Sequence, residues 1–193
     1  MVQSGQGKKI GLLGGSFNPA HAGHVYISGQ ALKMLGLDET WWLVSKQNPL
    51  KETQGMVEFE ERVQFAREIA AENPNIIVSD FETSIKTNYT YDTLKAIKAG
   101  YPEHQFVWLM GADNLIQLPK WYRWQDIMNL VPIAVFNRDS LKDKALESEA
   151  AIKFASSKIN DTKQLVTSLP PAWAFLDIKT HPASATKIRE TDC

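Results

Sequence analysis

Cysteine is nearly missing: of 193 residues only Cys193 carries a thiol, at the last position. An internal disulfide and a cysteine-based metal cluster are therefore excluded, and a reducing compartment, the cytoplasm, is expected. Long apolar runs are also missing. No stretch approaches ~18 residues, so nothing is expected to span a bilayer. Residues 1–8 are polar and lack the apolar core of a signal peptide; they are expected to be a flexible tail ahead of a single domain over 9–193. Charge of one sign is absent too. The formal net charge is −1, so no global attraction draws the protein to nucleic acid or to an anionic membrane, and neither is expected as a partner. Repeats, low-complexity segments and heptads do not occur, which leaves the oligomeric state open. What is present is ordinary for a globular domain: 44% hydrophobic and 22% charged residues, enough for a sizeable core.

Apolar runs of strand length alternate with helical patterns. Strands are expected over Lys9–Leu13, Thr40–Val44, Ile76–Ser79, Phe106–Met110, Val131–Phe136 and Trp173–Ile178. Helices are expected over Val25–Leu35 (ended by Gly36), Glu58–Ala71, Tyr91–Lys98 (ended by Gly100), Leu141–Ser157 and Thr186–Thr191. Val63, Ala66, Ile69 and Ala70 are spaced for burial on the second of these. Trp41 and Trp42 are adjacent in a strand and must face opposite sides, so both faces of the sheet need cover. Alternating βα units imply an α/β fold with a doubly wound, mainly parallel, Rossmann-like sheet. Ligands in such sheets bind beyond the carboxyl ends of the strands. The polar stretch Lys46–Gly55 is the best candidate for a mobile loop.

The first strand runs into Gly14-Gly15-Ser16-Phe17-Asn18-Pro19-Ala20-His21-Ala22-Gly23-His24. Gly14 and Gly15 permit a sharp turn and close approach of a ligand to the backbone. His21 and His24 stand three apart at a helix entrance, where bare N–H groups and imidazoles suit phosphate. The spacing is neither a dinucleotide fingerprint nor a P-loop. Each histidine taken alone reads as a surface or capping residue. A zinc reading of the pair lacks a third ligand at a usual spacing. Near the C-terminus, Ser184-Ala185-Thr186-Lys187-Ile188-Arg189 reads as a helix cap and a second anion site, with Arg189 suited to bidentate phosphate contact.

Taken together these segments resemble the nucleotidyltransferase superfamily that carries the His-x-Gly-His signature. Further matches lie between them: Asn48-Pro49-Leu50-Lys51, Tyr89-Thr90-Tyr91-Asp92-Thr93-Leu94, Met110-Gly111-Ala112-Asp113-Asn114-Leu115, Trp121-Tyr122-Arg123-Trp124 and Val135-Phe136-Asn137-Arg138. In this order they resemble the bacterial nicotinate-nucleotide adenylyltransferases, over about Lys9 to Arg189.

The resemblance implies an enzyme of NAD biosynthesis. It would join ATP to nicotinate mononucleotide, forming deamido-NAD and pyrophosphate by direct in-line attack. It implies that His21, His24 and Arg189 are catalytic. It implies ATP contacts from Gly14, Gly15, Ser16, Phe17, Lys51, Gly111, Asp113, Ser184 and Thr186. The mononucleotide would meet Thr90, Trp121, Tyr122 and Arg138, with the Trp121 indole stacked on the pyridine ring. Magnesium is expected with ATP, held by phosphates and water rather than by a protein carboxylate cage. Two positions depart from the pattern: Asn18 where many members carry Asp, and Ala185 where Ser is frequent. The alternatives are a sister enzyme acting on nicotinamide mononucleotide or phosphopantetheine, and a catalytically silent nucleotide-binding protein. Without the resemblance, Trp121 and Trp124 could equally pack under a loop.

Overall fold

The computed structural model describes residues 7–46, 56–85, 87–137, 141–179, 181–183, 185 and 188. Six strands form one sheet: β1 (Lys9–Gly15), β2 (Glu39–Val44), β3 (Ile76–Ser79), β4 (Gln105–Gly111), β5 (Ile133–Phe136) and β6 (Trp173–Leu176). Every pairing is parallel and the spatial order is β3-β2-β1-β4-β5-β6. The helices are α1 (Ala22–Leu35), α2 (Phe59–Ala70), α3 (Phe81–Ile85), α4 (Thr90–Gly100), α5 (Ala112–Gln117), α6 (Trp124–Leu130), α7 (Lys142–Leu146) and α8 (Glu149–Lys153). The chain winds outward from β1 in one direction and, after β4, in the other. The switch between β1 and β4 opens a crevice at their carboxyl ends, where an open α/β sheet binds its ligand.

Two cores cover the two faces. Leu13, Trp42, Val107, Leu109 and Phe136 point to one side, with Ala31 and Leu35 of α1 and Val63 and Ala66 of α2. Ile10, Leu12, Phe106, Trp108 and Val135 point to the other, with Leu94 and Ile97 of α4 and Ile127 of α6. The tryptophan pair divides as alternation requires: Trp42 is fully buried in the first core, and Trp41 packs on the second. The Trp42 indole N–H donates to Ser28 Oγ at 2.8 Å, so its one polar atom is satisfied.

Several expectations need correction. Helix α1 starts at Ala22 rather than Val25, because His21 caps it. Strand β1 extends through both glycines to Gly15. Helix α4 runs past the expected Lys98 through Gly100, and Tyr101 takes the cap. Ile69 is exposed, and Arg62 takes a place on the buried side of α2 instead. The expected helix over Leu141–Ser157 is two short helices and a 3-10 turn (Ala155–Ser157). Ser148 breaks it by accepting from the Ala151 N–H and starting a new helix. The strand before α7 begins at Ile133, after Pro132, which cannot donate to the ladder. The last strand ends at Leu176 rather than Ile178. Helices α3, α5 and α6 are additions, each too short for a periodic signal. The helix expected over Thr186–Thr191 falls, Ile188 apart, outside the described residues.

Candidate active site at the carboxyl edge of the sheet

The register of β1 on β4 sets Leu13 opposite Leu109, so both strands deliver glycine to the crevice: Gly14 and Gly15 from one, Gly111 from the other. Gly14 has no room for a side chain, since a Cβ would stand 2.3 Å from the Trp108 ring. Phe17 follows with φ 47, a left-handed backbone that an aromatic residue adopts only under constraint. Such strain costs about 1–3 kcal/mol. Burying the ring returns a similar sum, about 1.5–3 kcal/mol. The ring is stacked on Trp42 at 5.0 Å and lies 4.7 Å from His24. Its side chain is therefore part of the core, and only its backbone can meet a ligand.

The histidines form the entrance of α1. His21 is the N-cap, and its Nδ1 accepts from the Gly23 N–H at 3.1 Å. His24 reaches back, and its Nδ1 accepts from the His21 N–H at 3.2 Å. This is a reciprocal capping box built from two imidazoles instead of Ser and Glu. A nitrogen that accepts from N–H carries its lone pair there, so in each neutral ring the proton sits on Nε2. The rings lie 3.9 Å apart between centroids. They stand at a helix end whose first turn holds no acidic residue. That end favours an anion.

Gly23 is held between this cap and the C-terminal segment. A Cβ there would approach the His21 ring at 2.9 Å and the Ala183 carbonyl at 3.0 Å. The glycine of His-x-Gly-His is thus what lets residues before Ser184 close against the start of α1. Tyr26 and His181 meet on the same side, with centroids 5.5 Å apart.

On the other flank, Asp113 lies in the first turn of α5, two residues after the cap Gly111. Thr90 is the first residue of α4, and Tyr89 is its cap. The rings of Tyr89 and Tyr122 meet at 4.6 Å, which brings the α4 entrance to the segment carrying Trp121 and Tyr122. Trp121 is half-buried against the second core. Arg123 covers the Tyr91 ring at 4.1 Å and bonds Asp126 at 2.6 Å. Lys51, Arg138, Ser184, Thr186 and Arg189 lie outside the described residues.

Two charged residues that sequence reasoning passed over are buried beside the site. Arg62 donates to four backbone carbonyls. The available signal was its place four before Ala66 and eight before Ala70, on the apolar stripe of α2. Glu82 lies in α3, with Oε1 3.3 Å from the Thr93 hydroxyl. Nothing in the sequence around it marked it as buried.

Burial pushes the Glu82 carboxyl up to about 7, against the Thr93 hydroxyl and the Lys46 backbone, which pull it down. Between the ordinary 4.5 and about 7 the folded protein keeps a proton that the unfolded chain releases. The stability from this group is full below about 4.5 and is lost as pH rises through about 7. At about 1.4 kcal/mol per pH unit, the loss is on the order of 3 kcal/mol. Glu82→Gln is expected to remove this slope from urea midpoints measured between pH 4.5 and 8. Parallel curves for the two proteins would show that Glu82 ionises like an exposed carboxylate.

Among the described residues no three His, Cys, Asp or Glu side chains converge as metal ligands.

Residues 12–191 match the cytidylyltransferase-like family model. A protein of Parvibaculum lavamentivorans, named "Probable nicotinate-nucleotide adenylyltransferase", is 50% identical over 186 residues, covering 95% of this chain and 92% of the relative. The chain belongs to the nicotinate-nucleotide adenylyltransferase family. A Cereibacter sphaeroides member with the same name is 44% identical over 182 residues, covering 94% of this chain and 97% of its own. The fold is shared more widely than the sequence. The Plasmodium falciparum nicotinic acid mononucleotide adenylyltransferase, solved in complex with NaAD, superposes with a TM-score of 0.71 at 19% identity, over 95% of this chain and 83% of that one. The same protein complexed with APC gives 0.69 at 18% identity, with the same coverage. For a member of the adenylyltransferase family, the carboxyl-edge crevice with its paired imidazoles is the candidate active site.

Proposed function

We propose that the chain transfers the adenylyl group of ATP to nicotinate mononucleotide, yielding deamido-NAD and pyrophosphate. The observation that carries this reading is the imidazole capping box at the β1–β4 switch point, in a chain half identical to a named nicotinate-nucleotide adenylyltransferase. A mononucleotide phosphate oxygen forms a bond to the α-phosphorus. The bond from that phosphorus to the α–β bridging oxygen breaks, and its electrons leave with pyrophosphate. No covalent enzyme intermediate is needed. Holding the two nucleotides in line can supply about 7–11 kcal/mol. A donor aimed at the developing charge adds about 2.7–4 kcal/mol.

In this reading the Nε2–H groups of His21 and His24 meet the phosphates, and the backbone of Gly14 to Phe17 lines the nucleotide. Asp113 and Gly111 hold its ribose side. Ser184, Thr186 and Arg189 take the leaving pyrophosphate, and Lys51 joins them. The pyridine ring lies on Trp121, its carboxylate meets backbone N–H groups near Thr90 and Tyr122, and Arg138 holds the mononucleotide phosphate. Magnesium neutralises phosphate charge when ATP carries it in, and no protein residue is assigned to it. Residues 9–193 act as one catalytic domain in the cytoplasm.

Pyrophosphate release with ATP and each acceptor in turn tests the reading. Nicotinate mononucleotide is expected to be used in preference to nicotinamide mononucleotide and phosphopantetheine. Preference for phosphopantetheine, or ATP binding without turnover on any acceptor, would overturn it.

A further inference from the structure

The α2 residue Arg62 is almost fully buried, with 1% exposure. Among the described residues no carboxylate pairs with it. Burying a charge without a contacting counter-ion is costly; Glu58 and Glu60 favour the charge from a distance, and hydrogen bonds supply the close compensation. They do so in an unusual way, since every acceptor is a main-chain carbonyl. Nε donates to Val57 O at 3.0 Å, Nη1 to Ser16 O at 2.5 Å and Ser45 O at 2.8 Å, and Nη2 to Lys46 O at 3.0 Å.

These carbonyls come from three separate parts of the chain. Ser16 follows β1, Ser45 and Lys46 follow β2, and Val57 precedes α2. The β1–β2 ladder reaches as far as the bond from the Ser45 N–H to Gly15 O at 2.9 Å. Beyond it the strands diverge, and the next carbonyls meet the guanidinium instead. Val57 is fastened twice, because its N–H also donates to Asn18 Oδ1 at 3.3 Å. The Phe59 ring, 5.4 Å from the guanidinium carbon, closes one side.

A trans peptide is planar, with C=O and the following N–H pointing in opposite directions. Turning the Ser16 carbonyl onto Arg62 therefore turns the Phe17 N–H away from it. Turning the Ser45 carbonyl inward does the same to the Lys46 N–H. The direction of an N–H in the glycine-rich turn is thus set by a side chain that cannot itself touch a ligand. We infer that Arg62 is a positioning residue for adenylyl transfer: by gathering the Ser16, Ser45, Lys46 and Val57 carbonyls, it holds the Gly14–Phe17 turn in the conformation that receives ATP. The inference rests on the assignment of that turn to ATP. The reverse face of the same peptides, not an added ligand contact, carries the effect.

Lysine keeps the charge but offers a compact ammonium in place of a planar fork, and cannot hold four carbonyls in this arrangement. Arg62→Lys is expected to raise both Kd and KM for ATP tenfold or more. KM for nicotinate mononucleotide should stay within threefold, and the variant should still melt cooperatively. A merely structural role would lower the active fraction, reducing kcat and leaving both KM values alone. That pattern, or ATP affinity within twofold of wild type, overturns the inference. A measurement on the wild-type enzyme stands independently of whether the variant folds: the Arg62 Nε–H resonance should shift as ATP is added. A resonance that stays fixed while ATP saturates the protein overturns the inference and leaves the proposed reaction standing. A wild-type protein that binds no ATP at all overturns both.

Discussion

Replacing His24 by alanine is expected to lower kcat by roughly two to three decades, the scale of one lost donor to developing charge. Beyond the ring's packing on Phe17, two polar losses are combined in this substitution and can be separated. The imidazole Nε2–H disappears, and so does the Nδ1 acceptor of the His21 N–H. The second is a capping loss of about 0.5–2 kcal/mol. It is small beside a typical folding stability of about 5–15 kcal/mol, so the variant should remain folded at 25 °C. Urea denaturation reads the cap, and pyrophosphate release at saturating substrates reads the donor. The His21 cap on Gly23 is independent of His24, so α1 keeps one of its two capping bonds. A variant that turns over at more than a tenth of the wild-type rate would remove His24 from the catalytic role.

Trp121→Ala is expected to fall on the other substrate. Stacking of a base on an aromatic side chain is worth about 1–3 kcal/mol, or about 5- to 150-fold in affinity. KM for nicotinate mononucleotide should rise by that factor, while KM for ATP should change less than threefold. The indole is half-buried against the second core, so alanine also removes packing. Trp121→Phe keeps a ring and should recover most of the lost affinity, which packing alone would not link to one substrate. An effect confined to ATP would mean that the two nucleotide subsites are reversed.

Lys51, Arg138 and Arg189 enter the proposed reaction from the sequence pattern alone. The sites nearest to them offer a partial geometric context. Ala183, next to Ser184, reaches the Gly23 backbone. Phe136, two residues ahead of Arg138, ends β5 opposite Gly111 of β4. Lys46, ahead of the segment with Lys51, is held through its carbonyl by Arg62.

The parts of this fold that could be read from residues alone are those that local chemistry decides. Side chains alternate in a strand, so adjacent Trp41 and Trp42 already required two covered faces. Gly36 ends α1 with φ 64, as a residue without a Cβ can. The glycine turn and the histidine pair could be placed at a helix entrance, where α1 indeed starts. Leu141–Ser157 misled because its composition suits a helix throughout, and only the Ser148 hydroxyl bond shows where the chain restarts.

Sequence by itself determined the α/β alternation and the two-faced sheet, because each depends on neighbours within a few residues. Tertiary structure alone decided that β1 and β4 lie side by side and that Arg62 and Glu82 are buried. Those outcomes depend on which groups distant in the chain come together, and the electrostatic environment of a charge is set by that whole arrangement rather than by its own segment.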